Sequence, residues 1–483
     1  MRNKLYNAIQ SNDMFTENGM FTNSTSGSNV LDLYFKMGAM RSQSESAIIE
    51  LFENALQENP TLAIKAMFYN RDIRGGQGER RSFRVMFEYL CNKYPEIAVS
   101  IFQLVPEYGR WDDLLVATSS EINMKVVKFI YDALISGNVL AKKWMPREGK
   151  KNEDMSFFLM DAMGLDAQQY RNLISLDGEV VENLMCSNKW TDINYSHVPS
   201  IASKNYRKAF GRHDAEGYGD YLSKLEKGDK SVKINAGAIF PNDIIKSYLN
   251  DRRSNQIDGT IEAQWKALPD FVPDDLNFIV VADTSGSMHG DIAWEVAYSL
   301  AIYLGERNKS VFKDAFITFS RIERLVTLSG ATLREKVTSM LKNEIVENTN
   351  LDSVFNLILN KAKEYSVPEE DMPDVILIIS DMQFDSSGAQ ISDNALQMIR
   401  RKYESAGYKL PQVIFWNVRS SNGIPVKFDE VGTAAVSGYS PSVMKNVLSG
   451  EVTPLGMMMK TLNSERYAPV EEALLGVLLR EAK

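Results

Sequence analysis

The sequence predicts an α-helical N-terminal region of repeat or solenoid type, followed by an α/β doubly wound (Rossmann-like) domain. Apolar residues recur at helical spacing from Leu31 to about residue 250. From Phe278 onward, segments with the composition of strands and helices alternate, which indicates a mostly parallel sheet with helices on both faces. Between the two patterns, residues 251–275 are polar and contain two prolines. We place the domain boundary in this stretch, at residue 270.

The composition is that of a globular protein and excludes several classes. Of 483 residues, 44% are hydrophobic and 24% are charged. No window approaches the roughly 18 consecutive apolar residues of a membrane span, and the polar start lacks the apolar core of a signal peptide. Cys91 and Cys186 have no CxxC neighbour and the three histidines lack zinc-site spacing, which argues against a disulfide framework and a zinc hydrolase. We therefore expect a soluble, cytoplasmic protein.

The N-terminal half is predicted to be helical. Residues 1–30 are rich in Ser, Thr, Asn and Gly, and we expect them to form a mobile arm. Within residues 31–270, Glu45–Gln57 carries one apolar face, a second helix starts at Asn59-Pro60, and Phe83–Leu90 repeats the apolar stripe. Successive short helices indicate a bundle or a HEAT-like solenoid, although the sequence has no strict period.

Residues 271–483 are predicted to form the α/β domain. Apolar runs rich in β-branched residues predict strands at Phe278–Ala282, Ala315–Phe319, Val375–Ser380, Gln412–Asn417 and Thr433–Ser437. Helices are predicted between them at Ile292–Arg307, Leu351–Lys363 and Asn394–Ser405. The carboxyl ends of parallel strands share one edge of a sheet, and open α/β folds bind their ligands there.

Three separate segments place hard oxygen donors at that edge, which predicts a metal site. The donors are the side chains of Asp283, Ser285 and Ser287 after the first strand, Thr349 before a helix, and Asp381 after the strand VILIIS. Carboxylate and hydroxyl oxygens without imidazole or thiolate favour Mg²⁺ or Mn²⁺. Two carboxylates do not fill an octahedral shell, so one position stays open for an acidic side chain or a phosphate of a partner. The alternative is a polar turn that caps a helix.

The same segments offer no evident general base for metal-assisted hydrolysis. Glu347 is the only acidic residue close to the five predicted ligands, and His289 is expected to be a surface or capping residue. We therefore assign no catalytic residues and expect a protein that is not an enzyme.

The pattern Asp-x-Ser-x-Ser, a distant Thr and a strand-terminal Asp resembles the metal-ion-dependent adhesion site (MIDAS) of von Willebrand factor A domains. Matched residue by residue, the metal ligands of that family correspond to Asp283, Ser285, Ser287, Thr349 and Asp381. The resemblance implies Mg²⁺-dependent binding of a ligand. The sequence departs from the family pattern at Glu347-Asn348, where the family often has glycines before the Thr.

Further motifs along nearly the whole chain resemble those of a family of plant, fungal, large-virus and phage proteins, in which a helical region precedes an A domain. These motifs are TENG (16–19), RDIRGGQGER (71–80), GRWDDLL (109–115), KWMPRE (143–148), VPSIA (198–202), VIFWNVR (413–419) and VSGYS (436–440). More distantly, the order of the two parts is similar to that of the Ro autoantigen (TROVE-module) proteins, whose helical ring binds small structured or misfolded RNAs. The resemblance implies a TROVE-like domain at 31–270 and, for a viral member, a location in the host cytoplasm or the virion.

One basic segment surrounds a Gly75-Gly76-x-Gly78 turn and is a candidate RNA contact. Its basic residues are Arg71, Arg74, Arg80, Arg81 and Arg84. Backbone amides of a glycine turn together with guanidinium groups are able to cradle phosphates. The alternative is a solvated connection whose arginines pair with neighbouring carboxylates.

A second basic segment has aromatic residues interleaved with it. Its basic residues are Lys204, Arg207, Lys208 and Arg212. Tyr206 and Phe210 lie among them, an arrangement that suits single-stranded RNA unless the aromatic rings belong to the core. A third, weaker candidate consists of Lys142, Lys143 and Arg147 around Trp144.

These features support two functional hypotheses. The leading one is a non-enzymatic, Ro-like small-RNA-binding ribonucleoprotein component with a Mg²⁺-dependent ligand-binding A domain. The alternative is a metal-dependent protein–protein interaction or assembly module, such as a viral or phage accessory or structural protein, whose metal binds an acidic side chain of the partner. The net charge of −9 favours the alternative, because it opposes indiscriminate binding of nucleic acid.

Overall fold

The structure is a computed structural model that describes residues 13–15, 21–176, 180–251, 254–289, 292–318, 324–342, 350–384, 395–419, 423–446 and 453–481. The chain forms two compact units. We call Met1–Ser42 together with Ala236–Thr461 the α/β unit. We call Gln43–Asn235 together with Leu462–Lys483 the helical unit.

The strands are, in chain order, β1 (Asp13–Phe15), β2 (Phe21–Asn23), β3 (Phe278–Ala282), β4 (Ala315–Thr318), β5 (Arg324–Thr327), β6 (Val375–Ser380), β7 (Gln412–Asn417) and β8 (Thr433–Ser437). The first helices are α1 (Asn29–Lys36), α2 (Glu45–Glu58), α3 (Pro60–Arg71), α4 (Arg81–Lys93), α5 (Pro95–Ile101), α6 (Val105–Tyr108) and α7 (Asn123–Ile135). They are followed by α8 (Val139–Trp144), α9 (Glu153–Met163), α10 (Ala167–Leu173), α11 (Val181–Cys186), α12 (Ser200–His213), α13 (Ala215–Glu226) and α14 (Pro241–Leu249). The remaining helices are α15 (Gly259–Lys266), α16 (Ala293–Arg307), α17 (Leu333–Lys342), α18 (Leu351–Glu364), α19 (Ala395–Ser405), α20 (Pro454–Leu462) and α21 (Ala468–Glu481).

Short 3₁₀ turns connect several of these elements. They lie at Met37–Ser42, Phe102–Leu104, Trp111–Ser119, Trp190–Asp192, Tyr195–His197, Gly286–Met288, Glu369–Asp371, Pro441–Asn446 and Glu465–Tyr467. None of the described helices is long and apolar enough to cross a membrane.

The main sheet has the strand order β5-β4-β3-β6-β7-β8. Its neighbouring strands are parallel except at the edge, where β5 pairs antiparallel with β4. The register pairs Ala282 with Ile379 and Ser380 with Asn417, so the carboxyl ends of β3, β6 and β7 lie side by side. The α/β character that the sequence predicts is confirmed, and the sheet is mixed because of β5.

The central strands are continuous apolar runs because both of their faces are covered. Every residue of β3, β6, β7 and β8 is buried. One face of the sheet contributes Ile279, Ile378 and Phe415 to a core that also contains Phe355 of α18 and Tyr403 of α19. Because these strands are buried along their length, their polar side chains lie at the strand ends. The carboxyl edge of the sheet is therefore where polar groups from neighbouring strands come together.

The division into units differs from the boundary expected at residue 270. Helix α1 packs on β8, where Ser437 Oγ donates a 3.2 Å hydrogen bond to the Tyr34 carbonyl, and Phe35 joins the sheet core. Helices α14 and α15 also belong to the α/β unit, whereas α21 belongs to the helical unit. The reason is physical: an apolar stripe shows that one face of a helix is buried, but not which unit buries it.

The helical unit confirms the helical character of this part of the sequence, while the repeat architecture stays a prediction. Its first helices begin where capping residues place them: Ser44 accepts from the Ala47 amide and Asn59 from the Leu62 amide. Its buried residues include Phe52, Phe68 and Phe87. The buried Lys65 of α3 lies 2.5 Å from Glu471 of α21, so the last helix packs within the same unit.

Candidate functional site

Strand β3 delivers the first predicted metal ligand to the carboxyl edge of the sheet. Asp283 follows the last residue of the strand, and its amide continues the ladder to β6 by donating a 2.9 Å hydrogen bond to the Ile379 carbonyl. The side chain is fully buried. Asp283 Oδ1 accepts a 2.9 Å hydrogen bond from the Ser285 amide, and its Oδ2 accepts one of 2.5 Å from Ser380 Oγ. The carboxylate is therefore held in one orientation by the turn on one side and by β6 on the other.

The hydroxyl groups of the turn lie next to this carboxylate. Ser285 Oγ and Ser287 Oγ are 3.0 Å apart, and Ser285 is buried while Ser287 is half-buried. We call Asp283, Ser285, Ser287 and Asp381 the oxygen cup. Hydroxyl and carboxylate oxygens are hard ligands of the kind that Mg²⁺ takes.

Strand β6 supplies the second carboxylate of the cup. Asp381 directly follows Ser380 and is 1% exposed. Its Oδ1 accepts a 3.1 Å hydrogen bond from the Gln383 amide, and Met382 between them has a φ of 65°. A left-handed conformation is unusual for methionine, and it turns the chain sharply after Asp381. The predicted ligand Thr349 and its neighbour Glu347 lie outside the described residues.

The electrostatics of the cup favour a cation. Burial, followed by repulsion from Asp381, raises the pKa of Asp283 to about 6. Two desolvated carboxylates that repel each other are stabilised when a divalent ion lies between them. Among the described residues, no group of three or more His, Cys, Asp or Glu is arranged to hold a metal, so a site here depends on hydroxyl and carboxylate oxygens together. This donor set fits Mg²⁺ or Mn²⁺.

A cationic residue outside the set of predicted site residues also lies at the cup. Arg419 follows β7 by two residues, and its Nη1 donates to the Ser287 carbonyl and lies 3.9 Å from Asp381 Oδ2. Its amide donates a 3.1 Å hydrogen bond to Asn417 Oδ1, which fixes the start of this loop. The signal was present in the motif VIFWNVR, since a charged residue after a buried strand reaches the same edge, but only the strand order places β7 next to β6.

The first basic segment is held in ion pairs. Arg71 Nε lies 2.7 Å from Asp113 Oδ2, and Arg84 Nε lies 2.7 Å from Asp113 Oδ1. Arg80 Nη2 lies 2.5 Å from Asp112 Oδ2. The motifs RDIRGGQGER and GRWDDLL therefore meet in one cluster, and Arg71 is only 5% exposed. This is the alternative in which the arginines pair with carboxylates.

The other two arginines of this segment contact the protein as well. Arg81 donates a 2.6 Å hydrogen bond to the Gln43 carbonyl and lies 3.9 Å from Glu45. Arg74 contacts the Glu107 carbonyl at 3.5 Å. The whole segment is thus engaged in contacts within the helical unit.

Three amides of the glycine turn already have acceptors within the protein, which argues against a phosphate cradle. The amides of Gly76 and Gly78 donate to the Asp72 carbonyl at 3.0 and 3.1 Å. The Gln77 amide donates to the Tyr69 carbonyl at 3.0 Å, and a Cβ on Gly76 would lie 2.0 Å from that same oxygen. The glycines allow the turn to close against the end of α3, which favours the structural interpretation of this motif.

The second basic segment lies on α12 and divides into two faces. Phe210 is fully buried and packs in a core with Tyr195, Tyr218 and Tyr221, while Tyr206 packs against that core. The aromatic residues of the motif therefore serve the core. The basic residues Lys204, Lys208 and Arg212 recur every four positions, so they form a stripe on one side of the helix. Arg207 donates to the Lys204 carbonyl at 2.6 Å.

The third basic candidate adjoins the aspartate–arginine cluster. The guanidinium of Arg110 lies 3.6 Å from the ring centre of Trp144, and Arg110 Nη2 lies 2.6 Å from Asp112. Arg147 donates to the carbonyls of Lys142 and Ile174. Trp144 is therefore covered by an arginine of the same unit.

Together these observations define a protein of two parts, a helical unit and an α/β unit with an acidic, oxygen-lined cup at the edge of its sheet. Residues 16–129 and 166–274 match a family model described as "Domain of unknown function (DUF2828)", and residues 277–471 match one described as "Domain of unknown function (DUF7788)". The chain is 30% identical over 512 residues to "Uncharacterized protein L728" of Acanthamoeba polyphaga mimivirus, an alignment that covers 94% of this chain and 88% of the relative. The chain belongs to the family of this mimivirus protein. The predicted relationship to a family with large-virus members is therefore confirmed.

Proposed function

We propose that this chain is a non-enzymatic, Mg²⁺-dependent ligand-binding protein whose α/β unit is a von Willebrand factor A-type domain with a metal-ion-dependent adhesion site. The observation that carries the proposal is the convergence of two buried carboxylates and two hydroxyls at the ends of β3 and β6, from residues about a hundred positions apart in sequence. A turn that served only to cap a helix does not require Asp381 beside it.

The protein groups have distinct tasks in this proposal. Asp283 and Asp381 would supply the charge that holds the ion, and Ser285 and Ser287 would add neutral oxygen ligands. Ser380 donates to Asp283 and so fixes the oxygen that faces away from the turn. When bound, Mg²⁺ offers a Lewis-acidic position to an anionic oxygen of a ligand.

Binding rather than hydrolysis is supported by the groups that surround the cup. A metal-assisted hydrolase requires a base beside the attacking water. Ser380 donates to Asp283 and Arg419 donates to the Ser287 carbonyl, so both act as hydrogen-bond donors rather than as bases. The ligand that best suits the open position is a carboxylate side chain of a partner protein. A polyanion such as RNA is less suitable, because the net charge of −9 on this chain repels it at long range.

We expect the α/β unit to bind acidic side chains only when Mg²⁺ is present. Saturation-transfer NMR with capped tripeptides Gly-X-Gly tests this, where X is Asp, Glu, Asn or Gln. The Asp and Glu peptides are expected to give signals in Mg²⁺ that disappear in EDTA, because the metal recognises the carboxylate charge. The isosteric Asn and Gln peptides are the matched controls. Equal signals from acid and amide peptides, or signals that persist in EDTA, would contradict the proposal.

A second candidate function is the binding of small RNA by the helical unit, as the Ro-like order of the two parts suggests. The specific observation in its favour is the stripe of Lys204, Lys208 and Arg212 on α12. Lys208 and Arg212 are exposed, and neither has an ion-pair partner among the described residues. Arg71, Arg80 and Arg84 form ion pairs with Asp112 and Asp113 instead, so we assign the proposed RNA contact to α12.

We expect the double variant Lys208→Ala/Arg212→Ala to weaken the binding of a 20-nucleotide RNA by about tenfold and to lower the salt dependence. Loss of two phosphate contacts reduces the slope of log K against log[salt] by about 1.4 for a single strand. Filter binding between 50 and 200 mM salt measures both. Lys128→Ala/Lys224→Ala removes two lysines that pair with Asp132 and Asp220 on their own helices and is the control. Equal losses in both variants, or no RNA binding by the intact chain, would exclude this function.

A further inference from the structure

Arg419 lies where a cation has a direct effect on the oxygen cup. Its Nη1 bridges the two ligand-bearing segments, because it donates to the carbonyl of Ser287 after β3 and lies 3.9 Å from the carboxylate of Asp381 after β6. The side chain is 39% exposed, so the guanidinium lies partly in solvent while its contacts point into the edge of the sheet.

The charges of the cup explain why this position matters. Asp283 and Asp381 are 0% and 1% exposed, so their two negative charges are largely removed from water. An arginine within 4 Å of one of them offsets one unit of that charge. A divalent cation offsets both units, and it does so at the oxygens to which the arginine is attracted. The arginine and the metal therefore compete for the same negatively charged oxygens.

The loop that carries Arg419 is anchored in a way that keeps the residue at this edge. Asn417 ends β7, is fully buried and accepts a hydrogen bond from the Arg419 amide. The register pairs Asn417 with Ser380, the donor to Asp283. The arginine is therefore positioned through its main chain from the strand next to β6.

We propose that Arg419 is an intramolecular counter-cation of the cup: it holds Asp381 and the Ser287 loop while the metal is absent, and it lowers the affinity of the cup for Mg²⁺. This inference rests on the proposed metal-dependent function and adds a regulating residue to it. Once the metal is bound, the guanidinium is released from Asp381 and lies beside the open position. There it favours an anionic ligand, since a carboxylate has a second oxygen for it.

The experiment is a calorimetric Mg²⁺ titration of the full chain and its variants in the absence of any ligand. Arg419→Gln is expected to bind Mg²⁺ about tenfold more tightly than the wild type, because one positive charge close to the ion is removed. Arg419→Lys, which keeps the charge, is expected to stay within about threefold of the wild type. A purely structural role for Arg419 predicts the opposite sign, since a disordered cup binds metal less well.

Two controls separate this inference from its alternatives. Arg400→Gln makes the same change in net charge within the α/β unit, but Arg400 contacts the Val431 carbonyl before β8, at the opposite edge of the sheet, and its Mg²⁺ affinity should equal that of the wild type. If circular dichroism shows that Arg419→Gln folds poorly, the Mg²⁺ affinity of Arg419→Met is measured instead. This variant keeps the aliphatic stem and is likewise expected to bind Mg²⁺ more tightly than the wild type. Unchanged or weaker Mg²⁺ binding by the folded variant overturns the inference. A wild-type chain that binds no Mg²⁺ overturns the proposed function instead.

Discussion

Replacing Asp283 by asparagine is expected to lower the affinity for Mg²⁺ by at least about a hundredfold while leaving the α/β unit folded. The amide keeps the shape of the side chain, and its oxygen still accepts from the Ser285 amide. What is lost is one of the two charges that hold the ion. Because burial and Asp381 raise the pKa of Asp283, the charged form is disfavoured in the metal-free fold, and the neutral variant should be at least as stable without metal.

Two measurements check this prediction. Calorimetry gives the Mg²⁺ affinity, and thermal unfolding with and without Mg²⁺ gives the stabilisation that binding provides, which should be present in the wild type and absent in the variant. Asp371→Asn is the matched control, because Asp371 is exposed in the 3₁₀ turn before β6, at the amino end of that strand. If the Asp283→Asn variant bound Mg²⁺ as tightly as the wild type, the ion would be bound at another site and the prediction would be wrong.

The central strands of the main sheet were predictable, because a strand that is buried on both faces is a continuous apolar run in the sequence. The observed bounds of β3, β6, β7 and β8 are those that the apolar runs predict. Strand β5 was missed, since Arg324–Thr327 is a short edge strand with polar residues at both ends. An edge strand has one neighbour and one exposed side, so its sequence differs little from that of a loop.

The cup was predictable for a related reason, whereas its surroundings were not. Asp283 and Asp381 each follow a strand that the sequence marks clearly, and parallel strands place their carboxyl ends at the same edge of a sheet. The two aspartates meet there because β3 and β6 are neighbours. The contact of Arg419 with both segments depends on β7 lying next to β6, which is a matter of topology rather than of composition. The pairing of Arg71 with Asp113 depends likewise on the packing of helices 42 positions apart.

The same limit explains the division of the chain into units. Helices α1, α14 and α15 have the apolar stripes of ordinary amphipathic helices. This periodicity does not indicate whether a sheet or another helix packs against the stripe. A contact such as that between Ser437 and the Tyr34 carbonyl, across 403 positions, is required to assign α1 to the sheet.

Replacing Asp113 by alanine is expected to destabilise the helical unit by about 3–5 kcal/mol. The side chain of Asp113 is 0% exposed and that of its partner Arg71 is 6% exposed, so the variant leaves a buried guanidinium without its carboxylate. Arg84 and the Arg110 amide lose an acceptor as well. Urea unfolding followed by circular dichroism measures the loss. Asp132→Ala, which breaks the exposed pair with Lys128, is the control and should change the stability by less than about 0.5 kcal/mol.

Acid provides an independent test of the same cluster. Burial alone raises the pKa of Asp113, but Arg71 and Arg84 outweigh it and hold the pKa below the usual range of an aspartate. A carboxylate whose pKa is lowered by folding stabilises the fold fully at neutral pH, and this contribution is lost as the pH falls below about 4 towards the folded-state pKa. Wild-type stability should therefore decline more steeply in this range than that of Asp113→Ala, which no longer carries the group. Parallel declines in the two proteins would show that Asp113 does not account for the acid sensitivity of the fold.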